Sequence, residues 1–340
     1  MGSLRKNKFL VVSIFSDFQK TAHLFLSRTQ VKLDQDSLNE DKNLVEKLAI
    51  IKQKKAEKEA LQQQLKDRGE KQISTVDEDA RLLTKRGETV AGYNVQIAVD
   101  NKHRLIVAED VVQDGNDMQQ LAPMLEKAQS ILQSENLDGL GDSGYFNGSQ
   151  IKACEDQNIT VYVPVPDKSR RMAEKGRLTR EQFEYDTEQD CYVCPQDEKL
   201  TRRGKPLQKG GKNYIRYKSD AAVCAECPLQ KKCLSEKAKS KQIERWEHEE
   251  VVDHHKQRMA KNPNKMRQRA ALAEHPFGTL KHRAGINHFL MRGLEKYGGE
   301  FGLMVLGYNF VRVINLLGVD FLRDYCVQRQ KNKLKNSQYA

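Results

Sequence analysis

VAGYNVQIAVDNKHRLIVAEDVV, residues 90–112, decides the fold class of this chain. Apolar residues alternate along Val90–Val99 and again along Leu105–Val112, and Asp100–Arg104 supplies the polar turn between them. That pattern predicts a β-hairpin. Upstream, Ile73–Asp77 reads as a short strand. Downstream, Leu121, Met124, Leu125, Ala128 and Leu132 recur at helical spacing within Met118–Leu132. Then come a short strand at Leu137–Asp142, a short helix at Gly148–Gln157 and a strand at Ile159–Val165, stopped by Pro164 and Pro166. Three antiparallel strands followed by strands joined through helices predict a mixed α/β sheet flanked by helices.

The flanking regions differ in character. Residues 1–30 show no clean periodicity, and the apolar run Phe9–Phe15 only faintly imitates a signal peptide. Residues 38–70 read as a charged helix with an imperfect stripe at Leu44, Leu48, Ile51, Leu61 and Leu65, ended by Gly69. After Val165 the sheet pattern stops, and a polar, basic, cysteine-rich insertion runs to about His254. Helical periodicity returns at 264–283 and 300–318. The segment Phe301–Leu317 is broken by Asn309, Arg312 and Asn315, so it reads as a buried helix rather than a membrane span. Lys and Arg outnumber Asp and Glu by 58 to 47, a formal charge of +11 that favours a polyanionic partner. The seven cysteines are expected in a reducing, cytoplasmic setting, where clustered thiols bind metal more often than they pair.

Three acids occupy telling places. Asp77 ends one strand, Asp142 (in GDSGYF, 141–146) ends another, and Glu274 (in AEHPFGTLK, 273–281) lies on a late helix. Phosphodiester chemistry at neutral pH needs an activated oxygen nucleophile and charge stabilisation on the attacking and leaving oxygens, and two Mg²⁺ ions held by convergent carboxylates supply both. Asp79 competes with Asp77, because both would project from one face of the same strand. Asp100, Asp110, Asp114 and Asp117 read as turn and cap residues.

The strand order is also that of an RNase H-like fold, in which metal-binding acids sit on the first strand, at the end of the fourth and on a late helix. ISTVDEDAR, GYNVQIAVD, GNDMQQLAP, GDSGYF, EHPFGTLK and FLMRGLEK, in that order between residues 71 and 318, resemble the DDE transposases of bacterial insertion sequences, within the branch that carries a cysteine-rich insertion before the last acid. The resemblance implies that Asp77, Asp142 and Glu274 form the catalytic triad and hold Mg²⁺ or Mn²⁺. It implies cutting and joining of double-stranded DNA at terminal inverted repeats, a homodimer when active, and a cytoplasmic, nucleoid-associated protein. It also carries over Lys281, seven residues after Glu274, and Arg269, five before it, as DNA phosphate contacts. Pro276 either opens a new helix after Glu274 or kinks a continuous one. The resulting division is 1–70 an N-terminal helical segment, 71–165 the first part of the core, 166–254 the insertion, 255–325 the last part of the core with the final acid, and 326–340 a basic tail. The short N-terminal segment, with no helix-turn-helix pattern, leads to the expectation of a truncated copy, and so to a rival reading as a non-catalytic DNA-binding remnant.

The insertion carries its own chemistry. Cys191 and Cys194 form one pair, and Cys224, Cys227 and Cys233 a second cluster about 30 residues on, spacing that suits a tetrahedral zinc knuckle or an iron–sulfur site. The resemblance selects Cys194, Cys224, Cys227 and Cys233 as the Zn²⁺ ligands, with Cys191 spare. Cys154 and Cys326 read as core residues. Between the clusters, residues 199–218 hold eight Lys or Arg and no acid. Gly210-Gly211 predicts a hairpin turn there, and Arg202, Arg203, Lys205, Lys209, Lys212 and Arg216 are candidate DNA backbone contacts, alongside Tyr214 and Tyr217. A zinc-dependent RNA-binding module is the third reading of these features.

Overall fold

The computed structural model describes residues 9–15, 41–70, 72–74, 76–85, 88–167, 169–280 and 289–337. In chain order the first half holds β1 (Phe9–Phe15), α1 (Asp41–Arg68), β2 (Arg81–Lys85), β3 (Glu88–Gly92), β4 (Asn94–Asp100), β5 (Ile106–Val112), α2 (Leu121–Leu132), β6 (Leu137–Leu140), α3 (Gly148–Asp156) and β7 (Ile159–Tyr162). The insertion holds α4 (Arg170–Glu174), β8 (Glu184–Asp186), β9 (Cys191–Val193), β10 (Lys199–Arg202), β11 (Leu207–Lys209), β12 (Lys212–Lys218), α5 (Ala221–Ala225), α6 (Gln230–Cys233) and β13 (Gln242–Trp246). Four helices close the chain: α7 (Glu249–Lys261), α8 (Lys265–Gly278), α9 (Leu294–Leu317) and α10 (Val319–Ser337).

The central sheet has the order β5-β4-β1-β6-β7. β1 runs antiparallel to β4, with Phe15 opposite Val95, and parallel to β6, with Val11 opposite Leu140. β6 and β7 are parallel. Here the structure corrects the sequence reading. Ile73–Asp77, expected as the first strand of the sheet, is not a strand in its described residues, and the central position belongs to Phe9–Phe15. The reason lies in composition: FLVVSIF is a near-continuous apolar, β-branched run, the signature of a strand covered on both faces. Residue 70 is therefore no fold boundary, because β1 lies before it and belongs to the core sheet. The stretch Val90–Val99 also divides. Its first part pairs with β2 in a separate two-stranded ribbon, and the chain enters the central sheet only at Asn94.

Alternation along each strand sets the two faces. On one face Ala98, Leu137, Val161 and Val163 pack with Leu121, Met124 and Leu125 of α2 and Ile151 of α3. On the other, Val95, Ile97, Val99 and Ile106 pack under Phe301, Val305 and Tyr308 of α9. Leu140 meets Leu272 of α8, and Lys265 at the start of α8 reaches Asp138 at 3.3 Å. Gly139 faces α2 at a close approach: a Cβ there would lie 2.5 Å from a Leu125 methyl.

The insertion folds around a second, antiparallel sheet in which β12 pairs with β10 and β11 on one edge and β13 on the other. Gly210 and Gly211, both at positive φ (56° and 74°), make the expected turn between β11 and β12. Phe183, Tyr192, Leu200, Tyr217 and Ile243 form its small core. It docks on the central unit through Lys212, whose ammonium lies over the Trp246 ring and donates to the Asn147 side chain at 3.2 Å.

Candidate functional site

The carboxyl ends of parallel strands are where an open α/β sheet leaves room for ligands. Here those ends belong to β1, β6 and β7. Asp142 follows β6 by two residues and opens a single helical turn, Ser143–Tyr145, by accepting the Gly144 N–H at 2.8 Å. Its other oxygen lies 3.7 Å from the Arg269 guanidinium of α8, and the side chain keeps about a third of its surface exposed (32%).

Behind Asp142 stands a buried polar network. Tyr145, fully buried, donates its hydroxyl to the Gln96 side-chain oxygen on β4. The Gln96 amide, also fully buried, donates to Asp117 at 2.8 Å and to the Asn94 side chain at 3.0 Å. Asn94 donates to the same Asp117 oxygen at 2.7 Å. Burial pushes the Asp117 carboxyl above the usual carboxylate range; the two amide bonds oppose that, and the nearby Asp142 charge adds to it. Burial likewise raises the Tyr145 phenol, reinforced by the charges of Asp117 and Asp142. Asp117 is thus no simple turn residue: it is half-buried, held by two amides and within electrostatic reach of Asp142. The signal was present in the sequence as Asn94 and Gln96, polar residues inside an otherwise apolar strand.

Asp77 and Asp79 are placed differently. Asp77 accepts the Tyr93 hydroxyl at 2.8 Å and the Asp79 N–H at 3.3 Å on one oxygen, and the Gly293 N–H at 3.3 Å on the other. Asp79 accepts the Leu294 N–H at 3.0 Å. Together the two carboxylates cap the start of α9, where unpaired N–H groups and the helix dipole favour negative charge. Among the described residues Asp77 and Asp142 share no partner. Asp77 is committed to a helix end, and its expected strand position is not realised.

Glu274 lies on α8 five residues beyond Arg269, on a helix that packs against both β1 and β6. Its side chain, and the whole of Lys281, lie outside the described residues. α8 runs unbroken through Pro276, so of the two geometries expected around that proline the structure has the continuous helix. Arg269 meets Asp142 rather than standing as an open surface residue.

In the insertion, Cys194, Cys224, Cys227 and Cys233 line one cavity of about 370 Å³. The Cys233 thiol is raised by burial, lowered by the Lys241 charge, and raised again by Cys224, Cys194 and Cys227. The other three sulfurs therefore lie within electrostatic reach of Cys233. Even so, no three His, Cys, Asp or Glu side chains among the described residues stand together tightly enough to ligate a metal as they are. Cys191 is buried on β9. Of the basic candidates, Arg202, Arg203, Lys205 and Lys209 are exposed, and Lys209 pairs with Glu244 at 3.2 Å. Lys212 and Arg216 are half-buried; Lys212 is spent on Trp246 and Asn147.

Residues 193–314 match the family model of the transposase DDE domain, and over that stretch the chain is similar to a DDE transposase. The matched stretch, a little over a third of the chain, contains the four clustered cysteines, Arg269 and Glu274, while Asp77 and Asp142 lie outside it. The cryo-EM structure of a piggyBac transposase synaptic complex with hairpin DNA aligns over 69% of this chain at 10% identity, with a TM-score of 0.30. That score is below the level at which a shared fold follows, and the chain spans only 46% of that structure's own chain. No curated protein matches the chain.

Proposed function

We propose that this chain is the catalytic part of a DDE-type DNA transposase built on an RNase H-like sheet, acting on double-stranded DNA in the bacterial cytoplasm at the nucleoid. The observation that carries the reading is Asp142. It stands at the carboxyl end of β6, and α8, the helix bearing Glu274, crosses over that end with Arg269 against it. In an RNase H-like sheet with antiparallel β4 and parallel β6 around β1, this is the place of the second acid. Carboxylate oxygens, one of them partly exposed, fit a hard divalent cation such as Mg²⁺ or Mn²⁺, and Asp142 and Glu274 would hold it. Bound there, such ions supply charge stabilisation on the attacking and leaving oxygens.

The chain's own residues supply the rest. The Tyr145–Gln96–Asp117 network holds the Asp142 turn, and Arg269 balances the acid's charge. The exposed cations of the β10–β12 ribbon would bind the phosphate backbone. Water attacks the phosphodiester at an element end and expels the 3′-oxygen, and the freed 3′-hydroxyl then attacks a phosphodiester of target DNA and displaces the target strand's own 3′-oxygen. Four thiolates at one cavity suit Zn²⁺, and Cys194, Cys224, Cys227 and Cys233 are the proposed ligands, tying β9 to the α5–α6 loop. The first acid is open to test. Asp77 caps α9, whereas the first acid beyond the end of β1 is Asp17, outside the described residues.

The experiment is Mg²⁺- or Mn²⁺-dependent nicking of DNA bearing the element ends. Nicking lost in Asp142→Ala and Glu274→Ala supports the reading, and the first acid is whichever of Asp77→Ala and Asp17→Ala abolishes it without lowering the melting temperature. A second reading, a non-catalytic DNA-binding remnant, is favoured by the use of Asp77 as a helix cap. It predicts salt-sensitive DNA binding with no nicking under either metal.

A further inference from the structure

α9 has two faces of opposite fate. Tyr297, Phe301, Val305 and Tyr308 are buried on the sheet. On the opposite side Leu303 (70% exposed), Leu306 (63%), Phe310 (52%) and Leu317 (52%) face outward, with Val313 partly buried among them. Their spacing, 3-4-3-4, is that of a seam that receives another helix. Gly299, one further step back along the same line, adds no side chain to obstruct a close approach. The exposed surface continues past Gly318 into α10, where Val319, Phe321 and Tyr325 are each more than half exposed.

We propose that this outward seam of α9, extended by α10, is the surface through which two copies of the chain pair. The inference stands on the seam and not on the transposase reading. Three observations select a second copy as the occupant. First, the area is right: at roughly 150–250 Å² for a whole aromatic side chain, the exposed apolar groups of α9 and α10 amount to on the order of 1,000 Å² per chain. Two copies would then bury about 1,600–2,000 Å², the size of a stable interface. Secondly, the α9 part of the face carries no charge, and the exposed charges in the first turns of α10, Asp320, Arg323 and Asp324, are of both signs. Arg312, the one charged residue between Phe301 and Val319, turns inward to the His103 carbonyl (2.6 and 3.1 Å), so two strongly basic molecules can meet here without repulsion. One self-complementary patch is also all that a two-fold interface requires. Thirdly, among the described residues α10 packs on little besides the end of α9, and helices in proteins draw most of their stability from tertiary packing of one face. A bilayer is the competing occupant, since α9 is long and apolar enough to span one. Its inner face argues otherwise: Asn309 exchanges two hydrogen bonds with Ile106 of β5 (2.9 and 2.8 Å), and Arg312 is bonded to the β4–β5 turn.

The test is analytical ultracentrifugation of the full chain at micromolar concentration without DNA. The wild type should sediment with the mass of two chains, and Leu306→Glu/Phe310→Glu with the mass of one. The variant's circular dichroism should be unchanged, because both side chains are already mostly in solvent. The milder Leu303→Lys should shift the average mass toward one chain. Ile131→Glu, at an exposed apolar residue of α2 away from the seam, should leave the dimer intact. A monomeric wild type, a dimer that survives the double substitution, or equal loss in Ile131→Glu would overturn the proposal. So would a wild type that is monomeric alone and cosediments with phosphatidylcholine vesicles, which would give the face to a bilayer.

Discussion

Tyr145→Phe removes one oxygen atom from the centre of the molecule and should be costly. The Tyr145 hydroxyl is the donor to the Gln96 side-chain oxygen, and both residues are at 0% exposure. The Gln96 amide is already committed to Asp117 and Asn94, so it cannot flip its nitrogen and oxygen to repair the loss without abandoning two bonds. A buried acceptor left without a donor costs about 1–3 kcal/mol. At about 2 kcal/mol the folded-to-unfolded ratio falls roughly thirtyfold, and a cooperative unit of this size should lose about 4–8 °C in Tm. The assay is urea unfolding followed by the fluorescence of Trp246, the one tryptophan of the chain, whose ring sits against the first turn of α3. The midpoint should fall with an unchanged m-value. In a Gln96→Met background the same substitution should cost less than about 0.5 kcal/mol, because the orphaned acceptor is gone. A Tyr145→Phe protein within about 0.5 kcal/mol of wild type, or an equal cost in both backgrounds, would refute the network as the support of the Asp142 turn.

Gly139→Ala should destabilise by about 1–3 kcal/mol, since its Cβ would fall 2.5 Å from a Leu125 methyl that is itself fully buried; thermal unfolding checks this, and an unchanged Tm contradicts the close approach. His255 is wholly buried with its Nε2 2.7 Å from the Val163 carbonyl, and burial first, then the Arg258 charge, holds its pKa below the ordinary value. Its unfolded form therefore binds a proton that the folded form does not, so stability is full above about pH 6.5 and falls as pH drops below it. Melting curves between pH 7.5 and 5 should slope less steeply in His255→Gln than in wild type. Cys233→Ser should lower the zinc content of the purified protein and loosen the insertion; metal analysis reads the first and limited proteolysis near residues 194–233 the second, and equal zinc in both proteins would remove Cys233 from the ligand set.

Where local pattern decides structure, the sequence was legible. The β4–β5 hairpin, α2, α3, β6 and β7 follow from apolar periodicity, and each appears within a few residues of its expected span. α1 ends at Arg68, just before Gly69 at φ 65°, and the Gly210-Gly211 turn closes β11 on β12. Glycine alone enters the left-handed region cheaply, so these stops are written residue by residue. Spacing showed two groups of cysteines, Cys191 with Cys194 and Cys224 with Cys227 and Cys233, and the choice of four among the five came from the resemblance.

The central strand and the disposition of the acids were not legible. Phe9–Phe15 lies 79 residues before β4, its antiparallel partner, and no local pattern tells an apolar run which slot in a sheet it will fill. Asp77 looks like a site acid in sequence because it follows a short apolar run, yet it caps a helix that begins more than 200 residues later. Asp117 looks like a turn residue and is held by the two side-chain amides of Asn94 and Gln96 on β4. By itself the sequence determined the type and extent of most elements, the basic charge and the reservoir of carboxylates and thiols, because these depend on neighbours within a few residues. Tertiary structure alone decided which acid stands at the open end of the sheet and which satisfies a helix terminus, because a carboxylate's role is set by the donors that reach it, and those come from elsewhere in the chain.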